Sequence, residues 1–199
     1  MKKRNILVNC LICIVSILSY FFITNNLISV SYASSQILLV EENENNYINK
    51  SRKALKQGDY EEAIKFATLT IELNPTNEKA YYYRGLALTV RGKQFLAIKD
   101  LSKAIEINPI ADYFLIRGEA FYKTNKKLEA LSDFNKVIET ETNKKLLAIT
   151  YNYIGIIKSG FGDHENAIIS FSRVLEIDPK DFKAYNNRAK SRMAIENYV

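Results

Sequence analysis

The chain has 199 residues, 47% of them hydrophobic, with a formal net charge of +6. That length admits one domain plus an N-terminal extra, and no low-complexity tail marks the chain as disordered. One histidine and two cysteines, both before residue 14, leave the bulk of the chain without the residues for a metal site, a thiolate cluster or a Ser/His/Asp triad.

In chain order, Lys2, Lys3 and Arg4 come first and hold half of that net charge. Ile6 to Ile23 follows as an apolar run of 18 residues broken only by Asn9, Ser16 and Ser19. No acid precedes Glu41, and Ser31-Tyr32-Ala33 offers small residues at the two positions a signal peptidase reads. Residues 1–33 therefore read as an export signal. A retained single-pass anchor is the alternative, since 18 helical residues span about 27 Å against roughly 30 Å of hydrocarbon. Both readings put the rest of the chain outside the cytoplasm, secreted or periplasmic in the first and membrane-tethered through residues 6–23 in the second. Cys10 and Cys13 lie inside the run behind Asn9 and Ile12, which do not fit a lipoprotein signal. Residues 34–43 read as a polar linker containing the apolar stretch Ile37 to Val40.

From residue 44 the sequence repeats itself. Tyr47, Tyr81, Phe114, Tyr151 and Tyr185 recur at spacings of 34, 33, 37 and 34. Four residues after each stands a small one: Ser51, Gly85, Gly118, Gly155 and Ala189. Sixteen after come Ala63, Ala97, Ala130 and Ala167, and four further Ala67, Leu101, Phe134 and Phe171. A unit of about 34 residues accommodates two helices of about four turns and two short loops. The second helix of each unit carries an apolar stripe, as in Ala97, Ile98, Leu101, Ala104 and Ile105. The small residues are expected to let two backbones approach, with the recurrent aromatic filling the gap beside them. Gly58, Gly92, Asn125 and Gly162 stand between the helices, where a left-handed residue ends the first. Asp59 and Asp163 then serve as N-caps. Pro75, Pro109 and Pro179 close three units; in the third the slot holds Thr142, and about three extra residues are expected to lengthen the next helix after Asn143.

This combination of aromatic, small residue, alanine and proline resembles the tetratricopeptide repeat family. The resemblance covers residues 44–199 as four repeats, about 44–77, 78–110, 111–147 and 148–181, plus the first helix of a fifth over 182–199. It implies an all-α, right-handed superhelical solenoid of antiparallel helix hairpins, here preceded by an N-terminal apolar helix. It also implies a concave groove, lined by first helices, that binds a protein or peptide partner. Carried over slot by slot, that groove holds Arg52, then Lys79, Tyr82 and Leu86, then Leu115, Glu119 and Tyr122, then Asn152 and Ile156, then Asn186 and Lys190. Tyr82 and Tyr122 are expected to face the partner rather than the core, so truncating both would spare stability.

The slots that grip a chaperone's C-terminal carboxylate in some relatives hold Ile48, Arg52, Tyr83, Asp112 and Ile116 here; Asp112 would repel such a ligand. No basic stripe of the kind nucleic acid needs is visible. His164 falls in a turn slot, and Gly160-Phe161-Gly162 is too short to cradle a phosphate. The expectation is a non-enzymatic interaction scaffold without cofactor, metal, nucleic acid or small-molecule substrate. A membrane-anchored assembly factor for a membrane protein complex is the alternative. An RNA-binding helical-repeat protein is a weaker one, because its repeats lack this grammar. At the far end, Phe182 to Ile195 suits either a capping helix or the first half of an unfinished hairpin.

Overall fold

The computed structural model of the protein describes residues 41–196, and those residues are helices joined by short turns. The chain divides into two compact units, residues 1–46 and 47–199, and the hairpins belong to the second. The signal or anchor expected over residues 1–33 lies outside the described residues, as does most of the linker. Residues 41–43 are helical rather than linker, as suits Glu41 and Glu42, good helix formers. Among the described residues no helix is long and apolar enough to cross a membrane.

In the second unit the first helix, α1, covers residues 47–57. Then come α2 (Tyr60–Leu73), α3 (Glu78–Val90), α4 (Gln94–Ile107), α5 (Ala111–Lys123), α6 (Lys127–Thr140), α7 (Lys144–Gly160), α8 (His164–Ile177) and α9 (Phe182–Glu196). From α2 onward each helix packs on the next, and α3 touches α5 as α7 touches α9. That is the contact pattern of stacked hairpins.

The turns inside the hairpins follow the sequence closely. Gly58, Gly92 and Gly162 have φ of +78°, +74° and +81°, and Asn125 has +62°. The next N–H closes each helix by reaching back five residues, as Asp59 N does to Ala54 O at 2.9 Å and Lys93 N to Leu88 O at 2.9 Å. Asp59 and Asp163 cap α2 and α8, accepting from the backbone N–H groups of Glu62 and Asn166.

The core shows what the small residues are for. A methyl group on Gly85 would sit 2.8 Å from Leu101 Cγ, on Gly118 2.7 Å from Phe134 Cε1, and on Gly155 2.6 Å from Phe171 Cε1. These distances are below van der Waals contact, so each glycine is the socket for the large side chain sixteen residues on. Repeat one trades the volumes: its small slot holds Ser51, its large slot Ala67, and the Ser51 hydroxyl donates to Ala63 O at 2.9 Å. The sequence expectation that the recurrent aromatic fills this gap is corrected: Leu101, Phe134 and Phe171 fill it, each at most 1% exposed.

The aromatic instead carries a cation. The Arg84 guanidinium lies over Tyr81 at 5.8 Å, Arg117 over Phe114 at 5.7 Å, and Arg188 over Tyr185 at 5.3 Å. Arg84 Nε and Nη2 donate to both oxygens of Asp100 at 2.7 and 2.8 Å, while Nη1 reaches Thr68 of the preceding unit at 3.2 Å. Arg117 repeats the arrangement with Asp133 at 2.8 and 2.7 Å and with Ser102 at 3.0 Å. Each arginine thus ties its own hairpin together and to its predecessor.

The insertion acts where it was expected. Helix α7 has 17 residues against 13 for α3 and α5. From α2 onward, α6 and α7 share the least contact of any consecutive pair. Without a proline at 142, the Glu141 carboxylate accepts the N–H groups of Thr142 and Asn143 at 2.8 and 2.7 Å, and Asn143 caps α7 through Lys145 N at 2.9 Å. Large rings pack at this joint, with Tyr153 stacked on Phe134 at 5.1 Å.

Candidate functional site

The first helices α3, α5 and α7 present a row of tyrosines. Tyr82 on α3 tilts against Tyr113 on α5 at 4.7 Å and against Tyr83 at 5.5 Å. Tyr122, at the other end of α5, meets the edge of Tyr153 on α7 at 5.5 Å. Tyr82 also packs on the cluster of Leu88, Ala97 and Leu101, and Tyr122 and Tyr153 on the cluster built round Phe134. Successive helices therefore pass the row along from repeat two to repeat four.

Carboxylates run beside these rings. Burial raises the Tyr82 phenol to about 12, with further contributions from Asp112, Tyr83 and Glu119. Burial also raises Tyr153 to about 12, followed by Glu119 and Tyr122. Tyr113 is pushed up by burial and then by Glu78. Asp112 is itself raised, by burial first and by Glu141 second. The Glu119 carboxyl is raised by burial, and Lys123 one turn on opposes that shift. Neither Asp112 nor Glu119 makes an ion pair or a side-chain hydrogen bond with the described residues. Asn152 Oδ1 on α7 is buried with no donor.

The structure brings Tyr82, Glu119 and Tyr122 into this one region. Leu86, Asn152 and Ile156 are half-buried on the same three helices. Arg52, Lys79, Asn186 and Lys190 are exposed; Arg52 donates to Asn49 Oδ1 at 3.2 Å, and its charge lowers Tyr83 against the rise caused by burial. Leu115 is a correction: at 3% exposure it belongs to the core round Phe134, because the α5 turn that carries it faces α6 and α7. The idea that Tyr82 and Tyr122 could be truncated without loss of stability is also corrected, since both rings pack on core clusters.

Sequence reasoning missed Tyr113 and Tyr153. Tyr113 was visible as an outsized residue in a slot that holds Asn46, Ala80, Thr150 and Ala184 in the other repeats. Tyr153 shares its slot with Tyr83. The Arg–Asp ties were also missed, although Arg84 and Asp100, like Arg117 and Asp133, stand sixteen residues apart.

Two depressions lie away from this row. They are shallow hollows of about 480 and 330 Å³ that flank Arg84 and Asp100 between α2 and α4, lined in part by Tyr81, Lys99 and Leu96. Their floor is an arginine whose charge Asp100 already matches, and Lys99 lines both.

Residues 45–77 and 148–181 match the family model described as tetratricopeptide repeat. Human tetratricopeptide repeat protein 6 is 27% identical over 133 residues, which is 67% of this chain and 25% of that protein. The chain thus spans about a quarter of that relative's length. MamA is similar in structure, with a TM-score of 0.71 at 21% identity over 78% of this chain and 84% of that one. YrrB, described as a TPR protein with an unusual peptide-binding site, gives 0.65 at 24% identity over 76% of this chain and 77% of that one.

Proposed function

We propose that this chain, which is a tetratricopeptide repeat protein, holds a segment of a partner protein against the tyrosine row on α3, α5 and α7. The observation that carries the reading is the row itself: Tyr82, Tyr122 and Tyr153 are half-buried, with Asp112, Glu119 and Asn152 Oδ1 unpartnered beside them. Aromatic rings with unsatisfied polar atoms between them are what a bound segment completes. A peptide-binding site in YrrB, a neighbour in fold, supports the same use of the architecture. Scaffolding of this kind requires positioned contacts and no reacting group.

The test is a photoreactive side chain placed singly at Lys79, Glu119 or Asn186 on first helices and at Lys99 or Lys136 on second helices of the full chain. Partner adducts identified by mass spectrometry from the first set alone are the expected result. Adducts from the second set alone would move the site to the other side of the hairpins.

The scaffold is further proposed to work outside the cytoplasm, because of the basic start and the apolar run over residues 6–23. Alkaline carbonate extraction of membranes separates its two forms. Release into the supernatant means a cleaved signal, and retention in the pellet means an anchored assembly factor. Cytoplasmic recovery of the full-length chain would sink the export reading.

A further inference from the structure

We infer that the tyrosine row selects a basic partner segment, seating an arginine or lysine side chain at Glu119, between Tyr82 and Asp112 toward one end of α5 and Tyr122 toward the other. This deepens the proposed groove and rests on it. The argument begins with how the repeats treat their other carboxylates. Asp100 and Asp133 are each held by an arginine at 2.7 Å. Glu141 accepts two backbone N–H groups, as does Asp181 from Lys183 and Ala184. Among residues 47–196, the shielded carboxylates left without a partner are Glu78, Asp112 and Glu119. All three stand near the tyrosine row, as their influence on Tyr82, Tyr113 and Tyr153 shows.

Glu78 and Asp112 have a partial account of their own, because each lies in the first turn of a helix, where the dipole favours an acid. Glu119 has none. It sits in the middle of α5, half-buried, with only Lys123 nearby. Shielded carboxylates without partners are costly, and an incoming cation removes that cost. Ring faces of tyrosine attract the same cation. Asn152 Oδ1 adds a buried acceptor beside Tyr153 in sequence, suited to a guanidinium or ammonium donor. The sign of this patch is opposite to that of a chain carrying +6, so its charge is a local feature. Leu86 and Ile156, half-buried on the flanking first helices, offer apolar contacts on either side of the cation. The fitting occupant is therefore an extended segment with an arginine or lysine flanked by apolar residues.

The experiment selects random 12-residue displayed peptides on the immobilised full chain in detergent and then measures the binding of each winner to the D112N/E119Q variant. Both substitutions keep shape and remove charge, and circular dichroism verifies that the variant has the same helix content. Lysine or arginine enriched over aspartate and glutamate is expected. The selected peptides should bind the variant roughly tenfold more weakly. Apolar or acidic winners that crosslink at position 119 would overturn the charge inference and leave the groove standing. Basic winners that bind variant and natural chain equally would do the same. Winners that crosslink only at positions 99 or 136, or no winners at all, would overturn both.

Discussion

Repeats two and three solve one packing problem with charge, and repeat four solves it without. Where α3 and α5 carry Arg84 and Arg117, α7 carries Ile154, 4% exposed. Where α4 and α6 carry Asp100 and Asp133, α8 carries Ser170, whose hydroxyl turns back to Asn166 O at 2.9 Å. Arginine and aspartate change together: repeats two and three have both and repeat four has neither. The hairpin survives either way, so the ion pair is one of two workable fillings of the space. What the arginine adds is reach, because its third contact extends to Thr68 or Ser102 in the preceding unit. Repeat four has no such arm toward repeat three, and it is there that consecutive helices from α2 onward share the least contact. Rings bridge that joint instead, Tyr153 on Phe134 and Tyr122 on Tyr153.

Breaking one side of the pair is the most severe test of this contrast. Arg117→Ala leaves Asp133 buried, 6% exposed at its side chain, without its counter-charge. A loss of about 3 kcal/mol is expected, read as a melting temperature lower by roughly 6–12 °C. The double variant R117I/D133S, which copies repeat four, should recover most of that loss. If the double variant melts as low as the single one, the two solutions are not interchangeable and the comparison fails.

The glycine sockets should behave alike in both kinds of repeat. Gly118→Ala and Gly155→Ala drive a methyl into Phe134 and Phe171 at 2.7 and 2.6 Å. Each should cost about 1–2 kcal/mol by chemical denaturation, overpacking outweighing alanine's better helix propensity. Adding Phe134→Leu to the first should return part of it. A glycine variant as stable as the parent would mean that the sockets are not filled as described.

The smallest expected effect concerns the acids beside the tyrosine row. Asp112 and Glu119 are raised in the folded state. For an acid so raised, the folded chain binds more protons than the unfolded one through the window above the ordinary carboxylate range. Stability is therefore lost as pH climbs through that window and regained as it falls. The D112N/E119Q variant should melt slightly higher than the parent at pH 7, and the gain should vanish on acidification toward pH 4. A variant less stable at pH 7 would mean that these carboxylates have partners in the folded chain.

Much of the hairpin was legible because its requirements are local. A left-handed residue after Leu55 or Leu88, a cap such as Asp59 and a stripe such as Ala97, Ile98 and Leu101 each act within a turn or two of helix. Tyr82 and Glu119 were placed on the right helices for the same reason, since slot numbering carries the face. Leu115 was misread because the slot that is open in one repeat faces the neighbouring hairpin in another. The rotation of α5 against α6 and α7 decides that. The Arg84–Asp100 tie was written in the sequence at a constant spacing, yet nothing local says that two residues sixteen apart will touch.

Period, hairpin architecture and the positions of turns were determined by sequence alone, because they follow from backbone preferences and from burial of one helical stripe. Only the tertiary structure decided that Leu101, Phe134 and Phe171 fill the glycine sockets, that Tyr81, Phe114 and Tyr185 carry arginines, and that Glu119 lacks a partner. Those outcomes depend on distances between helices, and such distances arise when whole side-chain volumes compete for the same space.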